Sequence, residues 1–193
     1  MVYRMLTLIA EGFIHTRNRY RYFFTLMGFA VISEIPWYLL NGADGTHNVM
    51  FTLALGVATL MVLENLLQRS MVLGFLFTVS MAGLASWLGV DYEWRGILLI
   101  IIYYLYNTYA HSFQYSRGMQ FFCTFVLMIH YGIIGAVMAC MVLYLYNGTR
   151  GFVQGSIAKY GFYAFYPVHL VAIFIIYELQ IRIKLIHLIS FFC

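Results

Sequence analysis

The chain has 193 residues, of which 63% are hydrophobic and only 9% charged, with a formal net charge of +4. Soluble domains carry about 25% charged residues, and 11 basic plus 7 acidic side chains cannot clothe a water-exposed body of this size. The composition therefore excludes a soluble globular protein, and the long apolar runs make lipid the natural solvent.

The runs reach about 20 residues and lack the ten-residue alternation of outer-membrane strands, which predicts helical spans and not a barrel. Apolar periodicity places seven segments near residues 2–15, 20–40, 49–66, 70–89, 95–110, 119–146 and 160–180, in one membrane domain over 1–193. The expected fold is all-α, a polytopic integral membrane protein. The first segment is short and polar for a span, because Arg4 and Glu11 interrupt a stretch of about 22 Å. Turn chemistry marks the breaks: Asn41-Gly42-Ala43-Asp44-Gly45, Asp91-Tyr92-Glu93 and Asn147-Gly148-Thr149-Arg150-Gly151. The tail, residues 181–193, reads either as a surface-lying amphipathic helix or as a continuation of the last span.

Alternating the loops puts Arg17, Arg19, Arg21, Arg69, Arg117, Arg182 and Lys184 on one side and Arg4, Arg95, Arg150 and Lys159 on the other. The positive-inside rule then predicts that Arg17 to Arg21 and the C-terminus are cytoplasmic. Positive charge spread this thinly between apolar runs reads as a topology signal, and no nucleic-acid partner is expected. Cys123 and Cys140 share one predicted segment and Cys193 ends the chain, a spacing that suggests neither a metal site nor a disulfide framework.

Ionisable groups inside apolar runs cost about 2.5–3.5 kcal/mol each on insertion scales for Asp, Lys or Arg, so each calls for an explanation. Glu11, Glu34, His130 and His169 are such groups, and Glu64 lies near a span end where it reaches water. A plain helix-to-helix hydrogen bond accounts for many such residues. Glu34 and His169 lie beside Pro36 and Pro167, which release backbone carbonyls into a polar pocket, whereas His130 in a long apolar run reads as structural. Residues Glu11 to Arg21 read EGFIHTRNRYR, a dense polar cluster in a chain this poor in charge. It reads as a positive-inside anchor or as an anion site, since guanidinium forks match phosphates, and an acyl carrier such as coenzyme A is one ligand of that kind. The tyrosines Tyr103, Tyr104, Tyr106, Tyr109 and Tyr115 read as an interfacial belt. Hydrolase elbows, zinc-protease helices and Walker loops do not occur in the sequence.

Glu11-Gly12-Phe13, His15-Thr16-Arg17-Asn18, Ser33-Glu34-Ile35-Pro36, Asn48-Val49-Met50-Phe51-Thr52 and Phe162-Tyr163 through Tyr166-Pro167-Val168-His169-Leu170 resemble, in order, the TraX family of membrane proteins. That family is named for the F-pilin acetylation protein of conjugative plasmids and is similar to multi-pass acyltransferases that use cytosolic acyl-CoA. The resemblance implies a bacterial cytoplasmic-membrane acetyltransferase that moves an acyl group from acetyl-CoA to a pilin amine, a sugar hydroxyl or a small molecule. On that implication His169 is the expected base or its partner, Glu34 orients a polar group, His15 serves either role, and Arg17, Arg19 and Arg21 hold carrier phosphates, with no metal. Similar proteins begin with one more helix bearing an Asp-His pair, so a chain shortened in this way is expected to insert without transferring acetyl groups. The competing class is a small transporter or interaction protein in which Glu34 and His169 line a path.

Overall fold

The computed structural model describes residues 2–110, 116–145 and 156–192, and all of their regular structure is helical. Eight α-helices follow in chain order: α1 (Val2–His15), α2 (Arg19–Asn41), α3 (Val49–Arg69), α4 (Met71–Trp87), α5 (Glu93–Leu105), α6 (Ser116–Met128), α7 (Ile133–Tyr144) and α8 (Ser156–Phe192). A π-helical turn, Tyr106–Ala110, prolongs α5. The starts of α2 and α3 are set by asparagine caps. The Asn18 side chain accepts from the Arg21 amide at 2.9 Å and the Asn48 side chain from the Met50 amide at 3.0 Å, which satisfies donors a helix start leaves open.

By length and composition, Arg19–Asn41, Val49–Arg69 and Tyr160–Ile181 are candidate membrane spans, and Met71–Trp87 and Gly118–Tyr131 are shorter apolar helical stretches. Among the described residues three helices are thus long and apolar enough to span, and the seven expected spans are not confirmed. α3 is the central helix, packed against α1, α2, α4 and α5. Its Met50, Leu53, Leu60 and Leu63 are buried with Phe13 of α1, Leu26 of α2 and Ile97, Leu99 and Ile100 of α5. The outer face of α4, with Met71, Val72 and Phe75, is exposed as a lipid-facing helix would be.

The sixth expected segment, 119–146, is corrected by the structure. Helix α6 ends in a 3-10 turn, Ile129–Tyr131, and Gly132 at φ +104 turns the chain back into α7. Only glycine adopts that backbone cheaply. His130, expected mid-helix, sits exposed on this turn. The pairing of helices follows from specific contacts. The Tyr103 hydroxyl lies 2.9 Å from Thr124 Oγ1 and the Tyr131 ring 4.8 Å from that of Tyr92, so α6 runs antiparallel to α5. Cys140 Sγ donates to the Phe121 carbonyl at 3.7 Å, which brings α7 back along α6.

The expected tail, 181–193, is not a separate element as far as Phe192, because α8 continues unbroken to that residue. Helix α8 packs on α2, where the Phe29 and Tyr163 rings stack at 5.5 Å and the Tyr166 hydroxyl lies beside the Val49 backbone amide, towards Glu34 and Asp91. Progress along α8 therefore follows progress along α2, and the two helices are parallel. The expected placement of the C-terminus on the same face as Arg17 to Arg21 is not shown by this packing. The reversal at Gly132 adds one change of direction that the seven-segment reading lacked.

Candidate functional site

The helices gather polar groups at two separate places. At the C-terminal end of α2, Glu34 meets the start of α3. Its Oε1 lies 2.6 Å from His47 Nδ1 and its Oε2 accepts from Asn48 Nδ2 at 2.6 Å. Asn48 Nδ2 also donates to the Ala30 carbonyl at 2.9 Å while its Oδ1 caps α3, so one buried amide fixes carboxylate, α2 and α3 together. A carboxylate only accepts; the proton of a neutral His47 therefore sits on Nδ1, and Nε2 is left as a bare lone pair. The side chains of His47 and Glu34 are 45% and 31% exposed, so this pair opens to the outside of the bundle. Ser33, one residue before Glu34, has a buried hydroxyl with no hydrogen-bond partner among the described residues.

His47 is held by its backbone as well as by its ring. Asp44 accepts from the Thr46 amide and hydroxyl at 2.9 and 2.8 Å, and Trp37 Nε1 donates to the Thr46 carbonyl at 3.1 Å. The His47 amide donates to the Gly89 carbonyl and the Asp91 amide to the His47 carbonyl, both at 2.9 Å, so the α4–α5 loop straps it down. Gly89 is required here: its φ is +64, and a Cβ would stand 2.6 Å from the Gly45 carbonyl oxygen. Thr52 of α3 donates its hydroxyl to the Asp91 carbonyl and ties the strap to the central helix. Burial pushes the Asp91 carboxyl up to about 6, against the lowering effect of the Tyr92 amide.

At the other end of α2, Arg19 reaches across to Glu64 of α3 and binds it through both guanidinium nitrogens, the NH2 contact being 3.1 Å. The guanidinium lies 4.5 Å from the Phe13 ring centroid, and Phe13 in turn packs edge-on to Tyr104 at 5.8 Å. Arg17 and Arg21 are exposed, and no ion pair engages them among the described residues. A shallow open depression is lined by Thr16, Arg17, Asn18, Arg19 and Tyr20. His15 is exposed beside it, its Nδ1 donating to the Glu11 carbonyl at 2.9 Å.

The residues singled out in the sequence are thus divided. His15, Arg17, Arg19 and Arg21 share one end, Glu34 lies at the other about 22 Å away along α2, and Arg19 is occupied by Glu64. His169 is exposed and stacks on Phe165 of its own helix at 5.7 Å, apart from the hydrogen bonds of Glu34. His47, Asn48 and Asp91 complete the Glu34 cluster and were not singled out as site residues. The signal for them was a histidine directly ahead of an asparagine helix cap, after a turn that folds the chain back on α2. Among the described residues no group of three or more His, Cys, Asp or Glu side chains could hold a metal ion.

Comparison with known proteins adds a family. The family model described as TraX protein matches residues 5–177. A relative described as "Probable fimbrial assembly protein FimC, serogroup H1", from Dichelobacter nodosus, is 29% identical over 187 residues, covering 86% of this chain and 75% of that protein. No solved structure matches the chain.

Proposed function

This chain belongs to the TraX protein family, and from that premise we propose that it is a membrane-bound acetyltransferase that acts on a subunit of a surface fibre or another amine- or hydroxyl-bearing acceptor. The observation that carries the reading is the Glu34–His47 pair, with Asn48 on the second carboxylate oxygen. Acyl transfer needs a base that removes the acceptor proton as the nucleophile attacks. An imidazole whose Nδ1 is held by a carboxylate presents Nε2 in the right tautomer for that task. The roles then divide as follows: His47 is the base, Glu34 orients it, and Asn48 keeps the carboxylate aligned. Arg17 and Arg21 bind the phosphates of acetyl-CoA, because guanidinium forks pair with phosphate oxygens and no carboxylate among the described residues forms an ion pair with these two. Arg19 is structural, since Glu64 already fills its fork. The fimbrial relative supports a fibre subunit as acceptor, and the apolar helices support a bilayer location.

The test is transfer of radiolabelled acetyl from acetyl-CoA to a free-amine peptide by the purified chain in detergent. Saturable, enzyme-dependent labelling is expected, in place of the inactivity expected of a shortened chain, because Glu34, His47 and Asn48 are already joined within this chain. Solute flux through vesicles without any acetyl transfer would favour a transporter instead.

A further inference from the structure

Ser33 carries a fully buried hydroxyl with no hydrogen-bond partner among the described residues. A hydroxyl buried and unbonded costs about 1–3 kcal/mol, so folded proteins seldom keep one without a use for it. Its direction follows from its neighbours on α2. The Ala30 carbonyl and the Glu34 carboxylate both bond Asn48 at the start of α3, whereas Phe29 stacks on Tyr163 of α8. At about 3.6 residues per turn, Ser33 falls between these two faces. Its hydroxyl therefore points into the seam where α2, α3 and α8 meet.

Tyr166 meets the same seam from α8. The two helices run parallel, and Ser33 and Tyr166 each stand about one turn beyond the Phe29–Tyr163 stack, so their hydroxyls are level. Tyr166 is 9% exposed, and its oxygen accepts from the Val49 amide in the first turn of α3. Its own proton is left to donate. The carboxylates nearby have other partners: Glu34 is engaged by His47 and Asn48, and Asp91 accepts the Tyr92 amide at 3.0 Å. Two hydroxyl donors and the positive end of a 21-residue helix thus converge beside His47, which stands two residues ahead of Val49.

We propose that this seam is the oxyanion site of the transfer, in which Ser33 and Tyr166 donate to the carbonyl oxygen of the donor thioester. The proposal rests on the acetyltransferase reading above, to which it adds two catalytic residues. As the acceptor nitrogen attacks the carbonyl carbon, His47 Nε2 takes its proton and the C=O π pair moves onto the oxygen, where the two hydroxyls and the α3 dipole stabilise the charge. That pair then re-forms the C=O bond. The C–S bond breaks, the sulfur leaves with the bonding pair and takes the proton from His47, and the products are an amide and a free thiol. Ser33 is sealed from solvent while Glu34, the next residue, is open, so the oxygen sits inward of the reacting carbon, where fixed donors act without competition from water.

The test assays the full chain in detergent, with Ser33→Ala and Tyr166→Phe beside the natural sequence. Each variant should lower kcat about 100-fold, the usual loss on removing one oxyanion donor, with the KM for acetyl-CoA within about twofold of the natural value. Ser33→Ala removes a hydroxyl that has no partner, so its melting temperature should hold or rise. The carbonyl infrared band of acetyl-CoA, isotope-labelled at that carbon, should move to lower wavenumber on binding the natural chain, and the shift should shrink in either variant. A folded Ser33→Ala chain with natural kcat and natural band shift would overturn the proposal, whether or not Tyr166→Phe folds. A lowered kcat with the natural band shift and a lowered melting temperature would make the hydroxyls packing groups or holders of a buried water, and would overturn it too. No transfer by the natural chain would remove the acetyltransferase reading and the proposal with it, whereas transfer that depends on His47 but not on Ser33 would strike the proposal alone.

Discussion

Two ion pairs clamp α2 to the two ends of α3, one at His47 just before the helix and one at Glu64 near its end, and their chemistry differs more than their exposure. Arg19–Glu64 is 39% and 26% exposed, His47–Glu34 45% and 31%. The guanidinium uses two donors on one carboxylate and is covered by Phe13. The imidazole uses one nitrogen and keeps the other for a proton. The difference lies in what each pair leaves unused: the guanidinium fork of Arg19 is filled by its carboxylate, whereas the half-exposed imidazole of His47 keeps one ring nitrogen out of its pair. The first pair closes a bundle, and the second leaves a group free to act.

Exchanging a single atom at each pair gives the largest contrast. Glu34→Gln should lower kcat by about 100-fold, within the range for loss of general-base assistance, with the melting temperature close to that of the natural chain. Glu64→Gln should do the reverse, costing about 1–2 kcal/mol of stability, a buried-pair cost discounted for solvent screening, while folded protein keeps its rate. Side-by-side rates and thermal melts of the two variants would break the comparison if both lost activity alike.

The unengaged arginines come next. Arg17→Gln with Arg21→Gln should raise the KM for acetyl-CoA about tenfold, the loss of roughly one charge-assisted hydrogen bond, and leave kcat nearly unchanged. The difference from the natural chain should shrink in high salt. An unaltered KM at low salt would return both residues to a purely topological role.

Asp91 sharpens the Glu34–His47 end. Its folded carboxyl titrates near 6 against an ordinary 3.8, so the folded chain binds that proton more tightly than the unfolded chain. The associated stability is full below the ordinary value and is lost as the pH rises through 6. Asp91→Asn removes this dependence, and its melting temperature should gain about 5–10 °C on the natural chain between pH 4 and pH 7. Parallel melting curves across that window would contradict the burial argument.

The smallest effect is expected at His169. It is exposed and, among the described residues, stacks on Phe165 of its own helix, so His169→Ala should change the transfer rate by less than about threefold, far below the loss of a working base. A loss as large as that of Glu34→Gln would move the site onto α8.

Much of this arrangement was legible in the sequence, for identifiable reasons. α1, α2 and α3 begin and end close to where apolar periodicity and the Asn41–Gly45 turn place them, because local chemistry sets those boundaries. Glu34 drew attention because a carboxylate in an apolar run is costly. His47 did not, since a histidine in a polar loop is ordinary until the loop folds back. What folds it back is partly remote: Gly89 and Asp91 lie more than forty residues along the chain. The fate of Arg19 was hidden for the same reason, because Glu64 is 45 residues away. The reversal at Gly132 left no local mark, as a glycine between Tyr131 and Ile133 looks the same in a continuous helix as at a positive φ. The direction of α8 is read from its contacts with α2, such as Phe29 on Tyr163, which lie more than 130 residues apart in the chain.

The central claim, that His47 is the base, is tested most directly by chemical rescue. The acetyl-transfer rate of His47→Ala is measured in detergent with and without added free imidazole, alongside a melting curve that shows the fold intact. The account predicts a loss of about 10²–10⁴-fold, partly restored by imidazole entering the open position that the side chain vacates. A folded His47→Ala variant that transfers acetyl at the natural rate would contradict it.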